Sequence, residues 1–152
     1  MTEEVKVNVN DIYATFLTDS KLEAEGKWLD YGMVKVRIAR SGGANKRFAR
    51  LLEAKTKPYQ RAIKTETIDP EIAERIMREV FAETVVTGWQ TKIGEEWQNK
   101  VVTRTGEVLG YSAANVARVF QELPDLFADV QAQAQSVTNF REASREANAG
   151  NS

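Results

Sequence analysis

Two clusters of polar residues in this chain have types and spacings that could bind an ion. Gly42-Gly43-Ala44-Asn45-Lys46-Arg47 places glycines and cations at the start of a predicted helix, where free backbone N–H groups bind anions. The run matches neither the phosphate-binding loop nor the dinucleotide fingerprint, so we interpret it as a turn before a solvated helix face. Glu95-Glu96 with Glu107 could hold a hard cation, but no Asp-x-Asp spacing supports a metal site, and we expect a solvated loop.

The side chains on which most enzymes depend are missing. The 152 residues contain no cysteine and no histidine. This composition excludes disulfides, thiolate nucleophiles, Cys-ligated zinc and every Ser-His or Cys-His pair, although carboxylate–magnesium chemistry stays open. We therefore predict a binding or structural protein and not an enzyme, with no catalytic residue, no metal and no cofactor.

Charge is segregated along the chain. Residues 35–64 contain ten Lys or Arg and one acid, which is 10 − 1 = +9, so the remainder carries −1 − 9 = −10. Segregation on this scale indicates an electrostatic contact with a partner or between copies of the chain. Phe48 and Tyr59 lie within this basic segment, which could therefore bind nucleic acid. Because the chain is acidic overall and has no recognised nucleic-acid-binding motif, we expect a protein partner and keep a small nucleic-acid-binding protein as the alternative.

One amphipathic helix organises the predicted fold. Asp69 is suited to cap it, Pro70 is suited to its first position, and apolar residues recur at helical spacing as far as Val85. Gly88 fits a left-handed position just after a helix end. The sequence therefore predicts a helix over 70–87 that delivers Trp89 onto the same apolar side.

Around this helix we predict an α+β fold: a mainly helical single domain with an N-terminal β-hairpin packed on about five helices. The hairpin is expected over 21–39, because apolar residues alternate on both sides of Asp30-Tyr31-Gly32. The domain is expected to span 1–140, and 141–152 reads as a flexible polar tail. The predicted helices cover about 45–55, 58–64, 70–87, 112–122 and 124–136.

Aromatic and late apolar residues supply the candidate contacts. The spacings of Trp28, Trp89 and Trp97 favour core packing over a ligand-stacking box. Trp97 alone is a candidate exposed contact, since it lies in the segment 92–109, where we predict one strand or ribbon ending at Gly106. Beyond Gln131 the stretch is polar, with two large apolar anchors, and could order on a partner as an amphipathic helix. The candidate partner-binding residues are Arg47, Arg50, Arg61, Trp97, Val137 and Phe140.

Several short stretches, in this order and spacing, resemble the tail assembly chaperones of long-tailed bacteriophages. They are Leu22 to Gly32, Ile38-Ala-Arg40 leading to Asn45, Lys57-Pro58 with Arg61-Ala-Ile63, Ala82 to Trp89, Tyr111-Ser-x-x-Asn115, Leu123-Pro-Asp-Leu-Phe127 and Asn139-Phe140-Arg141. One departure is the segment from Thr91 to Gly110, which is longer than the short turn usual in that family and carries Trp97.

The resemblance implies a small, mostly helical, non-catalytic protein. It implies binding to the phage tape-measure protein and tail-tube subunits during tail assembly, and absence from the mature virion. We also expect a homo-oligomer in the host cytoplasm with no membrane association, because no apolar run approaches the roughly 20 residues that span a bilayer.

Overall fold

The structure, a computed structural model, describes residues 12–141 and has the α+β class predicted from the sequence, including the N-terminal hairpin. Residues 142–152 of the predicted tail lie outside the described residues. The helices are α1 (Ile12–Phe16), α2 (Ser20–Glu25), α3 (Lys46–Thr56), α4 (Gln60–Lys64), α5 (Pro70–Thr84), α6 (Ala113–Glu122) and α7 (Pro124–Gln135), with 3-10 turns at Lys57–Tyr59 and Val137–Phe140. The strands are β1 (Lys27–Asp30), β2 (Val34–Ile38), β3 (Val86–Ile93), β4 (Glu96–Gln98), β5 (Lys100–Val102) and β6 (Val108–Gly110).

An antiparallel sheet in the order β1-β2-β3-β4 covers the helices on one face. The turn of its first hairpin was correctly predicted: the Asp30 carboxylate accepts a hydrogen bond of 2.8 Å from the Gly32 N–H. The predicted start of the hairpin at residue 21 was wrong, because residues 20–25 form α2. Asp19 caps that helix by accepting from the Lys21 and Leu22 N–H groups at 2.9 and 3.0 Å, and this local capping outweighs the apparent alternation.

Helix α5 lies at the centre of the core, as predicted. The Asp69 carboxylate accepts from the Glu71 N–H at 2.9 Å, and Pro70 occupies the first turn. Phe81 is 0% exposed, and its ring makes edge contacts with Phe48 and Phe127 at centroid distances of 5.4 and 5.6 Å. This aromatic cluster thus joins α3, α5 and α7 in the core.

The predicted end of this helix was wrong. Helix α5 ends at Thr84, and Gly88 lies inside β3, opposite Arg37 of β2, instead of following the helix in a left-handed conformation. The run Val85-Val86-Thr87 consists of β-branched residues, which favour a strand over a helical turn. The chain therefore leaves the helix directly into the central sheet.

The segment 92–109 contains more structure than the single strand or ribbon predicted. β3 turns at Gly94, with φ +66°, into β4, and a separate pair, β5 and β6, follows. Gly106 has φ +86° and forms the turn between β5 and β6, so it does not end the ribbon. Gly94 and Gly106 thus act as two separate turn signals, each supplying a positive φ.

The two ends of the described chain contact each other. The Asp19 N–H donates to the Phe140 carbonyl at 2.8 Å, and Arg141 forms a β-bridge with Thr18. Phe140 is 0% exposed and belongs to the core. Phe140 thus lies in the core at the end of the domain predicted over 1–140, and the bridge to Thr18 is made by Arg141, the first residue of the predicted tail.

Candidate functional site

The glycine-rich loop 42–45 does surround an anion, and that anion is the chain's own Glu23. The residue Glu23 is 3% exposed, and its Oε2 atom accepts from the Ala44 N–H at 2.8 Å and from Arg40 Nη1 at 3.2 Å. Burial by itself raises the pKa of Glu23, but hydrogen bonds from Thr18, Ala44 and Arg40 and the charge of Arg40 together hold it below its ordinary value. The loop is therefore an internal structural clamp, consistent with its interpretation as a turn.

Asn45 completes this clamp in an unexpected way. It occupies the residue before α3, as predicted, but its side chain makes no capping bond to the helix. Its Nδ2 atom instead donates to the carbonyls of Arg40 and Thr84, at 2.8 Å each. Asn45 thereby ties the loop to the end of α5, which explains why a polar residue 6% exposed is tolerated here.

Three cations of the basic segment 35–64 make contacts with other parts of the protein. Arg40 pairs with Glu23, and Lys55 Nζ lies 3.0 Å from a carboxylate oxygen of Glu79. Arg37 donates to Thr87 through Nε and Nη2, at 2.9 Å each. Two cations of the segment are therefore paired with carboxylates in the fold, whereas six others are exposed: Lys46, Arg47, Arg50, Lys57, Arg61 and Lys64.

A groove lies between α5 and the junction of α6 with α7. Its volume is about 840 Å³. The break at Leu123-Pro124 turns the chain between α6 and α7, and this change of direction opens the groove. The apolar part of its lining is Pro70, Ala73, Met77, Phe120, Pro124 and Phe127, and the polar part is Asp69, Glu71, Glu74, Arg78, Gln121 and Gln131.

The charges around the groove are unevenly placed. Asp69, Glu71 and Glu74 lie at the N-terminal end of α5, whose free N–H groups favour acidic side chains. Arg78 Nη1 lies 3.9 Å from a Glu74 carboxylate oxygen, and its side chain is only 14% exposed. The rim is thus mainly acidic around an apolar floor, which suits an amphipathic helix carrying basic residues beside its apolar stripe.

The six residues predicted to bind a partner are not brought together, and none of them lines this groove. Arg47 and Arg50 are exposed on α3 and Arg61 is exposed on α4, with the Arg47 Nη2 atom donating to the Glu83 carbonyl at 3.2 Å. Trp97 is half-buried on β4, where Lys35 Nζ lies 4.1 Å from its ring centroid. Val137 is half-buried, and Phe140 cannot reach a partner in this conformation because it is fully buried.

Sequence comparison supplies the observation that decides the origin of the chain. Residues 43–151 match the family model described as YdaY prophage protein, which is 109 of the 152 residues. The chain belongs to the YdaY prophage protein family. No curated protein and no solved structure matched.

The part shared with the YdaY family contains all three helices that form the groove. It starts at the clamp loop and takes in α3 to α7, whereas α1, α2, β1 and β2 precede it. Membership in the YdaY family confirms the phage origin implied by the resemblance. Tail assembly and binding to a tape-measure protein are finer statements and stay predictions.

Sequence reasoning did not identify the groove of this YdaY protein. Met77 belongs to the apolar residues that recur along the predicted core helix, and Leu123 to Phe127 was noted only as one of the stretches that carry the resemblance to tail assembly chaperones. The available signal was the Leu-Pro-Asp break itself, since two helices that change direction at a proline leave a concave surface beside them. Among residues 12–141, no group of three or more potential metal-ligating side chains is found, and no helix is long and apolar enough to cross a membrane.

Proposed function

We propose that this YdaY-family protein is a phage tail assembly chaperone that binds an amphipathic helical segment of the tape-measure protein in the groove between α5, α6 and α7. The observation that carries the proposal is the groove of about 840 Å³ with an apolar floor and a mainly acidic rim. A prophage protein that presents such a groove is suited to cover the apolar stripe of a long helical phage protein before assembly.

The groove has the features of an adaptable binding surface. Met77 is half-buried at its floor and has a flexible, polarizable side chain, which fits many apolar partners. Phe127 is also half-buried and is supported from behind by Phe120, whose ring centroid lies 4.9 Å away. The flexible contact at Met77 and the rigid contact at Phe127 allow many similar helical segments to bind with modest affinity. A protein that covers the long tape-measure protein needs such binding.

Coverage of a long client also requires many copies. Each copy would bind one segment, and neighbouring copies bound to one chain would gain from high effective concentration. This fits the predicted homo-oligomer in the host cytoplasm, with tail-tube subunits displacing the copies as the tube forms. No step in this scheme requires catalysis.

The test is co-expression with the tape-measure protein encoded by the same prophage. The intact chain should keep the tape-measure protein in the soluble fraction. Met77→Glu and Pro124→Glu each place an acidic group in the groove, so both should reduce the soluble amount at equal expression. Ala54→Glu adds the same residue at an exposed position of α3 outside the groove and serves as the matched control.

Two results would count against the proposal in different ways. If the tape-measure protein precipitates equally with and without this chain, the chaperone function is wrong. If the chain keeps it soluble and both groove variants do so as well, the function stands but the groove is the wrong surface. Thermal melts of the variants check folding, and Pro124→Glu is the more informative because Pro124 is exposed.

A further inference from the structure

The sheet face that carries Trp28 combines an exposed aromatic ring with a fixed cation. Trp28 of β1, Arg37 of β2 and Gly88 of β3 form one row across three strands. The Arg37 guanidinium carbon lies 5.3 Å from the centroid of the Trp28 ring, which is a cation–π contact. The prediction that Trp28 packs in the core was wrong, because the residue is 39% exposed.

The arrangement of this row is held in place by its neighbours. Both hydrogen bonds from Arg37 to Thr87 hold the guanidinium against the sheet. Gly88 has no side chain, and a Cβ there would lie 3.5 Å from the tip of the Trp28 ring, so the ring rests directly over the strand. Because the ring is already positioned, a flat ligand that stacks on it would lose little side-chain freedom on binding.

A cleft of about 320 Å³ opens beside this ring. Tyr111, 42% exposed, forms its opposite wall and is held by a hydrogen bond of 2.8 Å from its hydroxyl to the Val86 carbonyl. Gln90 and Asn99 also line the cleft, with Gln90 Nε2 lying 3.1 Å from Asn99 Oδ1. The cleft is therefore lined by both aromatic rings and side-chain amides.

Two cations act on this cleft. Arg37 lines it directly, and Arg47 at the start of α3 lies near enough to influence Tyr111. Burial raises the pKa of the Tyr111 hydroxyl, and the positive charges of Arg37 and Arg47 oppose that rise. An anionic group that enters the cleft would lie beside Arg37, the cation in its lining.

We propose that this cleft binds single-stranded nucleic acid, with one base stacked against Trp28 and a neighbouring phosphate near Arg37. Stacking platforms with cations beside them are the common means of binding single strands without strong sequence preference. The cleft volume is at the lower end of the range for small-ligand sites, about 300–1,000 Å³, and suits one nucleotide better than a peptide helix. A duplex would not present its bases to the ring, so the proposal excludes tight duplex binding.

This site differs from the whole basic segment considered from the sequence. Arg50, Arg61 and Lys64 belong to that segment but do not line the cleft. Trp28, on which the base is proposed to stack, lies outside the segment, in β1. The site is also separate from the groove proposed for the tape-measure protein, with which it shares no lining residue.

The test is fluorescence anisotropy with end-labelled oligo-dT and oligo-U, each at low and at physiological salt. Trp28→Ala should weaken binding by at least about fivefold, because base stacking on an aromatic residue contributes about 1–3 kcal/mol. Tyr13→Ala removes another exposed aromatic residue, and Arg50→Ala removes a cation of the basic segment that lies outside the cleft. Both controls should change affinity by less than about twofold, within the scatter of ordinary surface substitutions.

Several outcomes would overturn the proposal. The first is equal affinity of wild type and Trp28→Ala for the oligonucleotide, and the second is a loss of affinity in Arg50→Ala as large as that in Trp28→Ala. The third is duplex binding as tight as single-strand binding, and the fourth is no measurable binding at low salt. Displacement by polyglutamate as effective as by unlabelled oligo-dT would instead identify an acidic peptide as the partner. If Trp28→Ala lowers the melting temperature, Trp28→Leu takes its place in the same comparison, because leucine keeps an apolar side chain at the edge strand.

Discussion

Replacing Glu23 with glutamine removes one charge from the clamp between α2 and loop 42–45. The glutamine has the same shape, so the change leaves no cavity. It places an uncharged amide where Arg40 and the Ala44 N–H donate to a carboxylate. We expect the variant to be less stable than the wild type at neutral pH.

The expected loss of stability follows from the burial of Glu23 and Arg40. Breaking a fully buried ion pair costs about 3–5 kcal/mol, whereas an exposed pair contributes about 0–1 kcal/mol. The Glu23 side chain is 4% exposed and that of Arg40 is 24% exposed, so this pair lies between the two cases. We therefore expect a loss of about 2–3 kcal/mol in the free energy of unfolding, close to the value for a hydrogen bond to a charged group.

The pH dependence gives the same experiment a second readout. The pKa of Glu23 in the folded chain is lowered from 4.5, so its contribution is fully present above that pH and is lost as the pH falls through the folded-state pKa. Glutamine does not titrate. The stability difference between wild type and Glu23→Gln should therefore narrow as the pH is lowered below 4.5.

Urea unfolding followed by far-UV circular dichroism, at pH 7 and in steps below pH 5, measures both effects. Glu25→Gln is the control, because Glu25 lies on the same helix but is exposed. A difference below about 0.5 kcal/mol at pH 7, the usual range for a surface substitution, would show that Glu23 is not a clamp. If the stability difference between wild type and Glu23→Gln stays constant as the pH falls, it does not come from the charge of the carboxylate.

Three further changes test the core and the loop. Phe81→Ala should cost about 3–5 kcal/mol in urea melts, since the ring is fully buried between two others, and a loss below about 1 kcal/mol would contradict this. Asn45→Ala should cost about 1–3 kcal/mol, because two carbonyls lose their donor, while Asn99→Ala at an exposed position should have little effect by the same melts. Gly43→Ala should lower the melting temperature more than Gly106→Ala: both glycines have positive φ, but a Cβ at Gly43 would also overlap the Glu23 Oε2 atom. Equal shifts for the two glycine variants would show that the loop relaxes away from Glu23.

Local signals account for the parts of the fold that were predicted correctly. The start of α5 depends on Asp69 and Pro70, and the start of α6 depends on Ser112, whose hydroxyl accepts from the Asn115 N–H at 3.1 Å. Each of these requires only residues within one helical turn. Helix α2 has the same kind of cap in Asp19, and the prediction missed it because weak alternation was weighted above capping.

Other parts depend on contacts between distant residues and could not be predicted. Nothing near Phe140 in the sequence indicates that its ring enters a core built from α5 to α7. The groove needs Met77 and Phe127 to lie on the same side of two separate helices, which only tertiary packing decides. The exposure of Trp28 depends on its place in the edge strand β1, which follows from the order of the sheet.

The contact between the two ends of the described chain has a consequence for folding order. Lys27 Nζ reaches Asn139 Oδ1 at 3.1 Å, across a separation of 112 positions, and the bridge from Thr18 to Arg141 lies beside it. During synthesis α2 and β1 soon meet their near partners, loop 42–45 and β2, but their contacts with residues 139–141 must wait until those residues are made. Contacts between such distant positions carry a high closure entropy and form late. A chain that stops before residue 139 would therefore keep the β1–β2 hairpin but lack the contacts from residues 139–141 that secure α2 and β1.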